Sequence, residues 1–248
     1  WLVHAAPGVR QVLGVASSLK KAAYWLEIAS SNGDAQASFQ LYRLYRERKF
    51  SLRSLAMSQR YLERSADQGH SHAQYLVALS LLRLSVERDA DIAAARWLAR
   101  ARRGGHAQAE SLLKFLCPPP ATVSPAASAE RSRVIASVAG SRIALATRLE
   151  LGQVFGLTIS QMLLFTPLRE DVGECFAVDV REQAPRAKRR LVHVETGEET
   201  ALLDRARRLL SPENPHPSDV RGTLRQRRHD LEKTLSVVGA ALRLFSVD

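Results

Sequence analysis

The first half of the chain repeats one pattern of apolar and small positions three times, at a spacing of 36 residues. In each copy an aromatic residue and a leucine precede a glycine, and an alanine follows that glycine. The positions are Trp25, Tyr61 and Trp97, then Leu26, Leu62 and Leu98, then Gly33, Gly69 and Gly105, then Ala37, Ala73 and Ala109. Glycine readily takes the left-handed conformation that ends a helix, and small residues allow close helix packing. The pattern predicts three antiparallel helix pairs that stack on one another.

The three copies read WLEIASSNGDAQA, YLERSADQGHSHA and WLARARRGGHAQA. They resemble the Sel-1-like repeats, which are relatives of the tetratricopeptide repeats, over about residues 18 to 117. The resemblance implies a helical-repeat solenoid in a domain over 1–117, with repeats near 18–52, 53–88 and 89–117. It also implies a scaffold that binds a peptide or helix of another protein in its groove. The candidate contacts are Tyr42, Tyr45 and Tyr75, and the alternative is that these rings only pack between repeats.

Two histidines follow the turn glycines, because His70 and His106 stand where the first copy has Asp34. The triplet from His70 to His72 could begin a metal site, but such a site needs more ligands of the right type nearby. We therefore expect a structural turn without a metal ion. Replacing His70 or His72 by alanine is expected to change little.

The second half begins after a Pro/Ala/Ser-rich stretch over 118–130 that predicts a linker. A helical pattern over 131–154 follows, and then a short helix over 156–165 with Thr158 as its cap. Alternating apolar positions predict a β-hairpin with strands over 175–182 and 191–195. The spacing from Thr196 to Glu199 predicts a capping box and a helix through Leu210. A long last helix is predicted over 218–244. The fold class is thus mainly α, with a repeat solenoid followed by a small α+β domain.

This order of elements, carried by TRLELGQVFGLTISQMLLFTPLREDVGECFAVDVREQAPRAKRRLVHVETGEETALLDRARRLL, resembles the first part of a tyrosine recombinase (phage integrase) catalytic domain. The likeness covers about 131–240 of a domain over 131–248, and it implies a link to a bacterial mobile genetic element. The chain departs from the family where catalysis needs it. Thr158 stands at the position of the first catalytic arginine, no His-x-x-Arg occurs, and all five tyrosines lie in the first half. We therefore expect a degenerate, truncated domain that is not an enzyme.

Charge raises a second hypothesis, DNA binding by an integrase-derived protein that has lost strand transfer. The chain carries a net charge of +11, with 17 Lys and Arg against 9 Asp and Glu over 1–118. A recombinase places its basic hairpin turn against DNA, so the resemblance makes Lys188, Arg189 and Arg190 candidate phosphate contacts. The spacing of Arg221, Arg225 and Arg228 predicts that they share one face of the last helix and extend that surface. A solvated charged surface is the alternative.

Composition and motifs narrow the classes of protein to which the chain can belong. With 46% hydrophobic and 25% charged residues the chain is typical of a folded soluble protein, and no apolar run is long enough to span a membrane. Two distant cysteines fit a reducing compartment. No cofactor motif is present, so we expect no cofactor. No signal peptide is visible, and the expected location is the cytoplasm; a signal ahead of Trp1 stays open.

Overall fold

The computed structural model describes residues 15–47, 54–85, 87–120, 123–167, 175–178, 190–211 and 216–245. The described part contains eleven α-helices and one two-stranded sheet, which confirms the prediction of a mainly α protein. The chain divides into two compact units, the first from 1–85 with 96–113 and the second from 86–95 with 114–248.

Six helices in the region of the three sequence copies form consecutive pairs, each joined by a short turn. They are α1 (Val15–Ser31) with α2 (Ala35–Arg46), α3 (Leu55–Asp67) with α4 (Ser71–Leu84), and α5 (Arg88–Arg103) with α6 (Ala107–Leu116). Helix α2 packs against both α1 and α3, and α3 packs against α4. Helix α5 begins in the second unit and ends in the first, so the third copy does not belong to one unit alone.

The three turn glycines adopt the same left-handed geometry, as the sequence predicted. Their φ angles are +92° at Gly33, +98° at Gly69 and +80° at Gly105. In each turn the glycine N–H donates to the carbonyl three residues back, and the next N–H donates to the carbonyl five residues back. This is the Schellman arrangement, which satisfies carbonyl groups that a helix end leaves unpaired.

Most members of the aromatic, leucine and alanine columns of the repeats are buried, Leu26 and Trp97 are half-buried, and only Trp25 is exposed. The three alanines are at most 3% exposed, and Leu62 and Leu98 are equally enclosed. Tyr61 is 8% exposed and Trp97 packs against the same core, but Trp25 is 66% exposed. Trp25 thus differs from its two counterparts, because no described helix covers its side of α1.

After α6, the described residues of the second unit form five α-helices and a two-stranded antiparallel sheet. Its elements are α7 (Pro125–Ala139), α8 (Ile143–Phe155), α9 (Ile159–Leu164), β1 (Cys175–Val178), β2 (Arg190–His193), α10 (Gly197–Leu209), α11 (Leu224–Val237) and a 3₁₀ turn (Leu242–Phe245). Cys175 pairs with His193 and Val178 with Arg190. Thr158 caps α9 and Thr196 forms a capping box, both as predicted; the Thr158 cap is also a full capping box, with Gln161.

Three predicted boundaries in this unit were wrong. Helix α7 starts at Pro125, inside the predicted linker, because Ser124 caps it and proline is suited to a first helical position. The single helix predicted over 131–154 is two helices that pack on each other and are separated near Gly140. The last helix covers 224–237 rather than 218–244, because Gly222 takes a φ of +88° and Thr223 begins the helix with a capping box.

A buried arginine ties the second unit together. Arg148 of α8 is 2% exposed, and its Nε and Nη2 atoms donate to the Asp219 carboxylate at 2.6 and 2.7 Å. Its Nη1 donates to the carbonyls of Met162 and Phe165 at the end of α9, at 2.9 and 2.8 Å. Asp219 also accepts the N–H of Val220. One guanidinium therefore joins α8, the end of α9 and the segment that leads into α11.

Removing this guanidinium should leave the Asp219 charge buried without its partner. We expect Arg148→Met to lower the free energy of unfolding of the second unit by about 3–5 kcal/mol. The matched control is Arg142→Met, because Arg142 binds Asp230 by two nitrogens in a more exposed setting. That change should cost about 1 kcal/mol. Urea unfolding followed by far-ultraviolet circular dichroism measures both, and equal losses would contradict the anchoring role of Arg148.

The turn glycines give a second stability prediction. A β-carbon at Gly69 would meet no atom within 4 Å, so the cost of Gly69→Val comes from its backbone conformation. We expect a loss of about 1–3 kcal/mol for the first unit. Gly197 lies in the second unit, does not have a positive φ, and has room for a β-carbon. Gly197→Ala therefore serves as the control. A Gly69→Val protein as stable as the parent in urea unfolding would refute the requirement for a left-handed turn.

Candidate interaction surfaces

Tyr45 and Tyr61 connect the first two helix pairs through a shared carboxylate. Their hydroxyl groups both donate to Oε1 of Glu27, at 3.0 and 3.2 Å. The two rings stack with centroids 5.5 Å apart and an interplanar angle of 5°. Burial, followed by the hydrogen bond to Glu27, raises the pKa of Tyr45 to about 12. Tyr45 thus holds α1, α2 and α3 together.

The other two candidate tyrosines also have structural partners. Tyr42 is 6% exposed and its hydroxyl accepts a hydrogen bond from Arg46. Tyr75 is half-buried, and its ring stacks on His106 at a centroid distance of 4.5 Å. These positions match the alternative of packing between repeats for Tyr42, Tyr45 and Tyr75. Their role as partner contacts stays a prediction.

An exposed apolar face on α1 was missed by the sequence reasoning. Tyr24, Trp25 and Ile28 are 60%, 66% and 38% exposed, and the rings of Tyr24 and Trp25 meet edge to face at 5.4 Å. Residues three and four apart lie on the same side of a helix, so the three side chains form one patch. We call these three residues the α1 face. The repeat pattern carried no signal for this exposure, since Trp25 stands in the same column as Tyr61 and Trp97, which pack against the core of the first unit.

The histidines after the turn glycines are helix caps. His70 precedes α4, and its Nδ1 accepts the N–H of Ala73 at 3.2 Å. His106 precedes α6, and its Nδ1 accepts the N–H of Ala109 at 3.3 Å. Asp34 does the same for α2 through its carboxylate. The residue after each turn glycine therefore has a role of its own, because its side chain satisfies an N–H group that a helix start leaves unpaired.

Each capping histidine also reaches back to the preceding repeat. His70 Nε2 lies 2.9 Å from Oε1 of Gln36, and His106 Nε2 lies 2.9 Å from Nδ1 of His72. The two pairs are equivalent, since each spans 34 residues. The ring of Phe39 stacks on His70 at 4.4 Å, and the ring of His72 stacks on His106 at 5.2 Å. Hydrogen bonds and ring contacts therefore link the three turns in series.

The hydrogen-bond pattern disfavours a metal ion at these histidines. A ring whose Nδ1 accepts an N–H must carry its own hydrogen on Nε2, so His106 donates from Nε2 to His72. A metal bound at that Nε2 would displace the hydrogen and force His106 out of its cap. In the part of the chain that the structure describes, no group of three or more His, Cys, Asp or Glu side chains is placed to hold a metal ion.

Not all of the basic residues predicted to contact phosphate lie in the part of the chain that the structure describes. Lys188 and Arg189 lie outside the described residues. Arg190 is half-buried, and its two Nη atoms donate to the carbonyls of Gly156 and Phe155 at 2.7 and 3.0 Å. Burial lowers the pKa of its guanidinium. Arg190 thus closes the end of α8, and these contacts compete with the phosphate contact that was predicted for it.

The three arginines near the last helix do not all lie on it. Arg225 and Arg228 are exposed on α11 three residues apart, but Arg221 precedes the helix and is separated from it by Gly222. The prediction that all three share one helix face is therefore wrong for Arg221. Arg228 also pairs with Glu232 at 3.3 Å on the surface.

Thr158 stands at the position of the first catalytic arginine in the recombinase resemblance. Its hydroxyl accepts a hydrogen bond from the N–H of Gln161 at the start of α9.

No described helix is both long enough and apolar enough to cross a membrane. Comparisons with protein-family models, curated proteins and solved structures gave no match. The resemblances to Sel-1-like repeats and to tyrosine recombinases therefore stay predictions from the sequence.

Proposed function

We propose that the chain is a non-catalytic protein–protein interaction scaffold built on Sel-1-like repeats, and that its α1 face receives an amphipathic helix of another protein. The observation that carries this proposal is the exposure of Trp25. Its counterparts Tyr61 and Trp97 pack into the core of the first unit, whereas Trp25 leaves an aromatic surface in contact with water. Clustered exposed apolar side chains are typical of interaction sites.

The second copy indicates what kind of partner fits. Tyr61 is covered by α2, whose Tyr45 stacks on it while other α2 side chains fill the same core. The α1 face presents the same column of the repeat, so a helix with apolar or aromatic residues three and four apart would cover it in the same way.

Positive charge at the edge of the α1 face favours a partner that carries negative charge. Lys20 and Lys21 are exposed on α1 and lie one helical turn before Tyr24 and Trp25. Opposite charges around an apolar contact steer association and select partners. The proposed partner helix is therefore amphipathic, with acidic residues flanking its apolar side.

The non-catalytic part of the proposal is supported by the residues of the second half. Residues 119–248 contain no tyrosine, which the recombinase chemistry needs as its nucleophile. Thr158 has no positive charge to stabilise a phosphoryl oxygen, and its hydroxyl already caps α9.

Site-specific photocrosslinking of the full chain in its native cell tests the scaffold. A photoreactive amino acid at Trp25 should form an adduct with another protein, mapped by mass spectrometry to an acidic amphipathic helix. The same group at exposed Glu63 on α3 is the control and should give no such adduct. Lys20→Glu with Lys21→Glu should reduce the adduct at least severalfold. An adduct with a second copy of the chain alone, or none at position 25, would contradict the proposal.

DNA binding is the second candidate, favoured by the exposed pair Arg225 and Arg228 on α11. Phosphate contacts release counterions, so the logarithm of the binding constant falls with the logarithm of salt by about 0.9 per phosphate. In titrations of duplex DNA with the full chain, Arg225→Ala with Arg228→Ala should weaken binding and reduce this slope by about 2.

The control for the DNA titration removes the same charge elsewhere, by Arg43→Ala with Arg133→Ala, both exposed. Lys188→Ala with Arg189→Ala tests the predicted hairpin turn. Arg190 is left intact because its loss would uncap α8. No binding at low salt, or equal losses in the α11 and control variants, would rule out the specific surface.

A further inference from the structure

The second and third helix pairs begin their second helices with a histidine cap, whereas the first pair uses an aspartate. Asp34 caps α2 with a carboxylate, and His70 and His106 cap α4 and α6 with imidazole rings. The ordinary pKa of an aspartate side chain is about 3.9. The ordinary pKa of an imidazole is about 6.5, so a histidine changes between its neutral and its protonated form near neutral pH.

Both capping rings must be neutral to make the contacts observed. Nδ1 of His70 and of His106 accepts a backbone N–H, which a protonated ring nitrogen cannot do. The Nε2 of each ring then donates to the preceding repeat, to Gln36 in one case and to His72 in the other. The cap and the bond between repeats therefore depend on one protonation state.

We propose that His70, His72 and His106 form a pH-sensitive joint that couples successive helix pairs at neutral pH and loosens them in mild acid. The proposal rests on this hydrogen-bond geometry and is independent of what the α1 face binds. When His70 and His106 each take a proton from solvent, three separate losses follow.

The first loss is the cap, since a protonated Nδ1 points a hydrogen at the N–H of Ala73 or Ala109. The second is electrostatic, because a positive ring at a helix start opposes the positive end of the helix dipole. The third is repulsion between the rings, since the nitrogens of His72 and His106 are 2.9 Å apart and cannot both carry positive rings without a large cost.

The charges on the neighbouring elements are of both signs. Besides the three histidines, the titratable and charged groups nearest these caps along the elements are Tyr75, Asp34, Asp67, Arg102, Arg103 and Glu110. Burial, followed by the charge of His72, lowers the pKa of both His70 and His106. The neutral rings are thus favoured in the folded protein.

The direction of the pH effect follows from these lowered pKa values. Below about pH 6.5 the unfolded chain binds protons that the folded protein still excludes. Stability contributed by the two neutral rings is complete above that pH and is lost as pH falls through the folded pKa values. Within this window each ring changes the unfolding equilibrium constant by up to about tenfold per pH unit.

The test uses the aspartate cap of the first repeat to replace the histidine caps of the other two. Substituting His70→Asp and His106→Asp places the cap of the first copy at both positions and removes titration near neutral pH. Urea unfolding of the full chain is followed at pH 7.5 and 5.5 by tryptophan fluorescence. This signal reports the first unit, because Trp1, Trp25 and Trp97 all belong to it. We expect the unfolding midpoint of the parent to fall in acid and the double variant to lose at least half of that fall.

Two controls separate the joint from general acid sensitivity. His229→Asn removes an exposed histidine of α11 and should leave the pH dependence of the first unit unchanged. In the parent protein the amide chemical shifts of Ala73 and Ala109 should titrate below pH 6.5. The amide of Ala37, bonded to Asp34, should stay constant over the same range. This measurement stands even where the double variant folds poorly.

The proposal fails if the double variant keeps the full pH dependence of the parent. It also fails if the Ala73 and Ala109 amide signals do not follow histidine titration, or follow it with a midpoint above 6.5. His72→Gln supplies the pairing seen between His70 and Gln36, so it should preserve stability at pH 7.5 and reduce the acid effect.

Discussion

Helix ends leave backbone N–H and carbonyl groups without partners, and meeting that requirement organises both units of this protein. In the first unit the turn glycines serve the carbonyl ends, and Asp34, His70 and His106 serve the N–H ends. In the second unit left-handed glycines at Gly156 and Gly239 follow α8 and α11, and arginine side chains bind further carbonyl groups at helix ends. Arg148 binds the end of α9 and Arg190 binds the end of α8.

This use of arginine changes the meaning of the charge. A net charge of +11 suggests a broad basic surface, but part of it is engaged by backbone oxygens. Arg227 donates to the carbonyls of Gly222 and Leu163, and Arg131 donates to that of Leu244. Composition therefore overstates the cationic surface that is open to a polyanion. The exposed arginines of α11 are the part of that surface on which the DNA hypothesis depends.

The sequence predicted best what local chemistry decides. The left-handed glycines, the cap at Thr158 and the capping box at Thr196 follow from residue types over a few positions, and they were confirmed. The boundary at Pro125 was wrong because it lies in a proline-rich stretch that predicts a linker, and the one at Gly140 was wrong because the helical pattern continues across it. Where a helix begins or ends at such a place depends on whether a cap there is more stable than another turn of helix.

The candidate contacts were harder to predict than the elements. Tyr42, Tyr45 and Tyr75 are amphipathic side chains, and periodicity alone does not distinguish a ring that stacks on a neighbour from a free one. Their burial depends on contacts such as that with Glu27, which lies in another helix. The caps could have been found, since alignment of the copies puts His70 and His106 in register with Asp34.

That register has a consequence for how such an array can change over generations. The codons of aspartate and histidine differ only in their first base, so a single nucleotide substitution interconverts the two kinds of cap. The backbone turn and the hydrogen bond to the helix start survive the exchange, because both side chains present an acceptor there. A repeat array of this design can therefore acquire or lose sensitivity to acid one joint at a time, while its fold stays the same.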